Sequence, residues 1–356
     1  MIGFVTMVIL GGIASLADYL FAHVLTCLIP AFFIAGAINA LLPKEIITRN
    51  LGAKSSAFKA YPLSVAAGLL LAVCSCTILP LFAGIKKKGA GLGPALTFLY
   101  TAPATNILAI ALTGSVLGWD FAAARIVLSV IFAIAIGVII TYIFRKDDEK
   151  EEGEKPKCAC AQESASNEKA QPLSTIALFI LTLLGILFVG TWQMPLELRM
   201  GGLVLLILVV YFEQKTWFSR EQVHNWLSET WIFARTIFPL LLVGIFAAGM
   251  IGAALPEKFL EGYLGQNTVL ANLIAVLFGV FMYFPTLVEV PMAKTFLGLG
   301  MAKGPLLAYM LADPVISLPS ILVIRRYIGD KRTLVYVGLI IIFCTLAGLI
   351  YGTIVG

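Results

Sequence analysis

Charge is what this sequence has least of. Asp, Glu, Lys and Arg make up 13% of its 356 residues, about half the ~25% of a soluble globular domain. Hydrophobic residues account for 60% and the mean hydropathy is +0.97, so water is excluded as the solvent of most of the chain. There are two histidines, His23 and His224, too few for a His-rich metal centre. No Walker A sequence, Gly-rich nucleotide loop or Ser-His-Asp arrangement is present, so ATP hydrolysis by the chain itself, a cofactor and an enzymatic role are not expected. The ten-residue alternation of a transmembrane barrel is missing. Met1–Leu10 lacks the basic start and the small-residue cleavage site of a secretory signal. The net charge of +5 needs no nucleic-acid partner, because the basic residues fall in short loops between apolar runs, where they set orientation.

What is present is a series of apolar runs that reach the ~20 residues needed to cross a ~30 Å hydrocarbon core. The expected fold is an all-α polytopic membrane protein, multi-pass in the cell (cytoplasmic) membrane, with the lipid bilayer as its main partner and its oligomeric state open. Met1 to Asp18 reads as an entering, partly interfacial helix, and His23 to Leu42 as a span bent near Pro30. The loop to Lys59 carries Lys44, Arg49, Lys54 and Lys59. Spans are then expected at about 92–114, 121–144, 173–192 and 198–212. Residues 145–172, charged and aperiodic, read as a disordered cytoplasmic loop.

After residue 217 the chain repeats itself. Phe33-Ile34-Ala35-Gly36, Pro43 and Leu51-Gly52 align with Phe246-Ala247-Ala248-Gly249, Pro256 and Leu264-Gly265 at a shift of 213. Pro80, Gly93-Pro94 and Pro103 align with Pro291, Gly304-Pro305 and Pro314 at a shift of 211. Breakers holding register over such a length mark an internal duplication. The expected organisation is a first transmembrane repeat (1–144), the charged loop (145–172), two linking spans (173–217) and a second repeat (218–356). If the segment from Tyr61 to Ile85 dips in, breaks near Cys74–Thr77 and returns, Lys44–Lys59 and Lys86-Lys87-Lys88 both face the cytoplasm, as the positive-inside rule requires. The repeats are then inverted, with two re-entrant segments meeting near the midplane and about eight full spans, or up to ten hydrophobic segments in all. A parallel duplication of fully spanning helices is the competing arrangement.

The chemistry-bearing residues gather at the breaks. Cys74-Ser75-Cys76-Thr77 precedes Pro80. Side chains at i and i+2 of a helix point about 200° apart, so the thiols converge only where the helix is broken. Paired thiolates suit soft metal ions and thiophilic solutes, and a half-helix N-terminus aimed at them would favour the thiolate. In the second copy the equivalent run is Phe284-Pro285-Thr286-Leu287-Val288-Glu289-Val290-Pro291, which has no thiols but has Glu289 between two prolines. Asp313-Pro314 is a second acid in apolar sequence. Acids at membrane depth are costly and mark functional sites, so Glu289 and Asp313 are candidates for substrate binding and for proton coupling. Asn106 and Thr286 join Ser75 and Thr77 as polar lining, with Thr101, Thr105 and Ser317 either lining a path or tying down freed backbone. Cys158 and Cys160, in the charged loop, are accessory metal ligands or an unremarkable exposed pair. Cys27 and Cys344 read as filler.

Cys74-Ser75-Cys76 with Pro80, a basic Gly-containing turn, Phe98-Leu99 and Ala102-Pro103-Ala104-Thr105-Asn106 resembles the permease family that includes the bacterial organoarsenical efflux permease. Glu289-Val290-Pro291, Gly300-Met301-Ala302-Lys303-Gly304-Pro305 and Asp313-Pro314 are similar to the matching part of archaeal and bacterial members. The resemblance implies efflux of thiol-reactive trivalent organoarsenicals or soft metal ions, with Cys74 and Cys76 as ligands. Two alternatives stay open from the residues: a membrane thiol–disulfide oxidoreductase cycling Cys74/Cys76 and Cys158/Cys160, and a transporter of sulfur or selenium compounds.

Overall fold

The computed structural model describes residues 2–20, 28–52, 55–71, 75–153, 172–191, 195–254, 263–281, 284 and 286–355. Every regular element among them is a helix. In chain order these are α1 (Ile2–Tyr19), α2 (Ile29–Leu41), α3 (Lys44–Leu51), α4 (Ala57–Leu71), α5 (Ser75–Lys87), α6 (Leu92–Ala104), α7 (Ile107–Leu117), α8 (Trp119–Gly153), α9 (Leu173–Thr191), α10 (Leu196–Trp217), α11 (Arg220–Ala254), α12 (Val269–Phe281), α13 (Thr286–Gly298), α14 (Lys303–Ala312), α15 (Leu318–Ile328) and α16 (Asp330–Val355).

Three stretches are individually long and apolar enough to cross a bilayer: Trp119–Arg145, Arg220–Met250 and Asp330–Val355. The number rises to five if two bent pairs each count as one span. One of those pairs is Leu92–Ala104 with Ala109–Leu117, bent by 48°. The uninterrupted span expected over 92–114 is therefore broken between α6 and α7. Pro103 lacks the N–H that would bond one turn back, and Thr105 leaves helical geometry at φ −113°, ψ 26°,. The chain is a multi-pass helical membrane protein, and among its described residues several apolar helices are shorter than a bilayer-crossing span.

Other boundaries also differ from the expected ones. Pro30 is the second residue of α2, and residues 21–27 of the span expected from His23 to Leu42 lie outside the described ones. Part of the basic loop after Leu42 is helical, as α3. The helix α8 takes in residues 145–153 of the stretch expected to be a disordered loop; Glu- and Lys-rich sequence favours helix as readily as solvation. Residues 154–171, with Cys158 and Cys160, lie outside the described residues, as do His23 and Cys27.

The second half reproduces the boundaries of the first at a constant offset. Ser75–Lys87 becomes Thr286–Gly298, and Ile107–Leu117 becomes Leu318–Ile328. The starts of α6 and α8, Leu92 and Trp119, become Lys303 and Asp330. All are 211 residues apart. Two turns that need positive φ recur at the same offset, Gly89 (94°) with Gly300 (90°) and Gly118 (111°) with Gly329 (83°),. A long-range backbone bond also recurs, Gly91 N–H to the Leu51 carbonyl (2.7 Å) and Ala302 N–H to the Leu264 carbonyl (2.9 Å), with the donors 211 and the acceptors 213 residues apart. The packing is reciprocal as well. The helix α7 packs on α13 while α15 packs on α5, and α8 packs on its counterpart α16.

At the centre lie α6, buried at every residue, and α14, buried from Gly304 onward, as helices apolar on all sides must be. Each is held by a long helix, α6 by α8 and α14 by α16. Close approach depends on paired glycines. A Cβ on Gly93 would stand 2.5 Å from the Gly137 carbonyl oxygen, and one on Gly304 2.6 Å from that of Gly348. By contrast, α10 shows Leu198, Val204, Leu205, Leu208 and Phe212 on its exposed surface, a face suited to lipid.

Candidate functional site

The strongest polar feature is an ion pair in the middle of this apolar packing. Arg125 Nη2 lies 2.9 Å from Glu289 Oε2, and both side chains are 0% exposed. Arg125 enters from the second turn of α8, and Glu289 from the first turn of α13. The pair therefore joins the two halves of the chain, beside the α7–α13 contact. Arg125 Nη1 also donates to Thr113 Oγ1 on α7 (3.3 Å), whose hydroxyl is bonded to the Ala109 carbonyl (2.6 Å).

Asp313 stands at the end of α14, 3% exposed, within electrostatic range of both Glu289 and Arg125. A backbone amide, Phe284 N–H, lies close to it without a well-aligned bond. Phe284 belongs to the connection between α12 and α13, so Asp313 faces the break of the second half. The approach of α12 is made by Gly279, where a Cβ would stand 3.3 Å from Asp313 Cβ and 3.1 Å from the Tyr309 ring. The same device recurs in the first half, where a Cβ on Gly68 would stand 3.1 Å from the Ala102 amide nitrogen.

Tyr309, on α14, senses Asp313, Glu289 and Arg125. Tyr100, on α6, lies within range of Arg125 and Tyr336, and its hydroxyl donates to the Leu311 carbonyl (3.4 Å) and meets Cys344 Sγ at 3.9 Å. Leu311 is Tyr100's own equivalent at the offset of 211. A bond from a residue to its counterpart places this contact where the two halves meet. Several buried polar atoms of the cluster have no hydrogen-bond partner among the described residues: Arg125 Nε, Glu289 Oε1, both Asp313 carboxyl oxygens and the hydroxyls of Tyr309 and Tyr336. Folded proteins rarely leave such atoms empty-handed, so this set is suited to receiving a proton, a solute or water.

Of the residues expected to form a site, Glu289 and Asp313 are brought together. Ser75, Cys76 and Thr77 form the first turn of α5, and residues 72–74 lie outside the described ones. Ser75 and Thr77 are buried. Cys76 is the second residue of that helix, where the partial positive charge of a helix N-terminus acts. Thr286 is the first residue of α13, the equivalent position. Asn106 is buried between α6 and α7. Thr101 and Thr105 bond back onto carbonyls of their own chain one turn before, each at 2.7 Å, which ties down backbone near the end of α6, whereas Ser317 bonds the Ser320 hydroxyl at 2.8 Å. Cys74 lies outside the described residues. Among the described residues no group of three His, Cys, Asp or Glu side chains is placed to hold a metal ion.

Arg125 was not among the expected residues. Its signal was present, a basic side chain inside the apolar run from Phe121 to Phe144, but close enough to the run's start to pass as an orientation charge.

The profile of a family described as a predicted permease, ArsP_1, matches residues 9–353. The UPF0718 protein MJ0584 of Methanocaldococcus jannaschii is 38% identical over 96% of this chain and 95% of its own length. The UPF0718 protein YraQ of Escherichia coli is 23% identical over 83% of this chain and 67% of its own. A Streptococcus mutans protein named as a putative two-component membrane permease complex subunit is 22% identical over 94% and 92%. No solved structure matches.

Proposed function

Because the chain belongs to the ArsP_1 family of predicted permeases, we propose that it is a secondary-active permease exporting a thiophilic solute, a trivalent organoarsenical or soft metal ion, in exchange for protons. Membrane transport follows from the family. The substrate and its coupling are the present reading, and one observation carries it: a fully buried Arg125–Glu289 pair with Asp313 beside it, spanning the two halves of an apolar bundle. Ionisable groups at such depth are maintained against a cost of several kcal/mol, and packing alone gives no reason to keep three.

In this reading the 211-residue recurrence is an inverted repeat. The breaks before α5 and before α13 are re-entrant tips that meet near the midplane, the usual site of substrate and coupling ions in secondary transporters. Cys74 and Cys76 supply soft donors on one side of that meeting point. Ser75, Thr77, Asn106 and Thr286 line it, and Glu289 and Asp313 supply the charge on the other side. Soft thiolates select the solute against hard cations.

The test is uptake of trivalent methylarsenite into everted membrane vesicles, with and without a pH gradient, for wild type and Cys74→Ser/Cys76→Ser. Gradient-dependent accumulation that disappears in the double variant is the expected result. Accumulation that survives the substitutions would remove the thiols from the site, and no accumulation at all would remove this solute.

A further inference from the structure

Two carboxylates and one guanidinium cannot all be ionised in a sealed apolar cluster without leaving an uncompensated negative charge. Glu289 has the guanidinium at 2.9 Å. Asp313 has no side-chain donor, and neither of its oxygens has a hydrogen-bond partner among the described residues although the residue is 3% exposed. The ionisable groups facing it are Glu289 on α13, Arg125 on α8 and Tyr309 on α14 itself. The helix α12, packed against it, carries no ionisable residue. From α16, Tyr336 and Cys344 reach the cluster through Tyr100. Only Arg125 is a cation, and it is already engaged.

We propose that Asp313 alone carries the exchanged proton, and that Arg125 enforces this division by holding Glu289 as its permanent counter-ion. This deepens the permease reading given above and rests on it for the word exchanged; the resting protonation does not. At rest the cluster is neutral: Arg125 charged, Glu289 charged, Asp313 as the acid. When water reaches the cluster, the Asp313 O–H bond releases its proton to solvent. The carboxylate left behind is offered an unpartnered guanidinium nitrogen in the cluster, Arg125 Nε–H. The site then carries a charge of minus one until a proton returns, which couples one proton to each cycle. Glu289 is a positioning residue in this scheme.

The proton is read directly by infrared spectroscopy of the purified protein in lipid bilayers, through the C=O stretch of a protonated carboxyl at neutral pH. Wild type is expected to show a band that is lost in Asp313→Asn; Glu213, the other acid below a tenth exposed among the described residues, contributes equally to both samples and cancels. In Glu289→Gln the band is expected to vanish, because Asp313 then ionises to serve Arg125. In Arg125→Gln it is expected to grow about twofold, as both carboxyls take protons once the cation is gone. Asp313→Asn is nearly isosteric with the protonated acid, so it should fold even if the Arg125 variant does not. A band that is unchanged in Asp313→Asn overturns the proposal. So does gradient-driven transport that survives Asp313→Asn, in which case the permease stands and the assignment falls. Absence of methylarsenite transport in wild type, with the band behaving as expected, would instead remove this solute as the exchanged substrate and leave the protonation intact.

Discussion

Arg125 is worth more to the fold than to any single contact, because removing it strands Glu289. Breaking a buried ion pair from one side typically costs roughly 3–5 kcal/mol, whereas replacing both members by apolar residues is often close to neutral. Arg125→Met is therefore expected to lower the thermal unfolding midpoint in detergent, with protonation of Glu289 offsetting part of the loss. The double variant Arg125→Met/Glu289→Met should recover most of it, and two independent, additive losses would show that the pair is not coupled. Glu289, between two prolines, and Asp313, before one, stood out in apolar sequence as acids, although an interfacial position or a helix cap would have accounted for them equally well. Arg125 did not, because a lone arginine near the end of a span reads as an orientation charge, and only the position of a residue 164 places later in the chain removes that reading.

Among elements, the crossings of α6 with α8 and of α14 with α16 set how closely the two halves can approach. They rest on Gly93 facing Gly137 and Gly304 facing Gly348, with backbone oxygen where a Cβ would go. Gly93→Ala and Gly304→Ala are each expected to cost about 1–3 kcal/mol, the usual range for overpacking. Gly338→Ala, on the same α16 with nothing within 4 Å of the new Cβ, should stabilise the helix by up to about 1 kcal/mol. Thermal unfolding of the three variants under one set of conditions separates packing from helix propensity. Helix existence was readable from apolar runs and breakers. The break within 92–114 was not, because Pro103 in a long apolar run suits a kinked span as well as two separate pieces. The short α3 was hidden by its charge, which reads as loop.

For the molecule as a whole, the open question is which way the second half faces, and equivalent positions answer it. Lys87 and Gly298 end α5 and α13, 211 residues apart, and both are exposed. With Lys87→Cys and Gly298→Cys each placed alone in a cysteine-free background, a membrane-impermeant thiol reagent added to intact cells should label one and spare the other until the cells are opened. Labelling of both from the same side would make the repeats parallel. The constant register of the breakers was visible before any coordinates, since prolines and glycines constrain backbone wherever they occur. The orientation was not, because it rests on which loops the basic residues occupy, and that inference already assumes which segments cross.

The backbone is nearly the same twice over, but the charges are not. At the offset of 211, Arg125 corresponds to Tyr336, Glu289 to Ile78 and Asp313 to Ala102. A scaffold made of two equivalent halves would have no preferred resting state, since exchanging the halves would return the same object at the same energy. A single charged cluster lifts that degeneracy. The charges thus distinguish two halves that the backbone leaves alike.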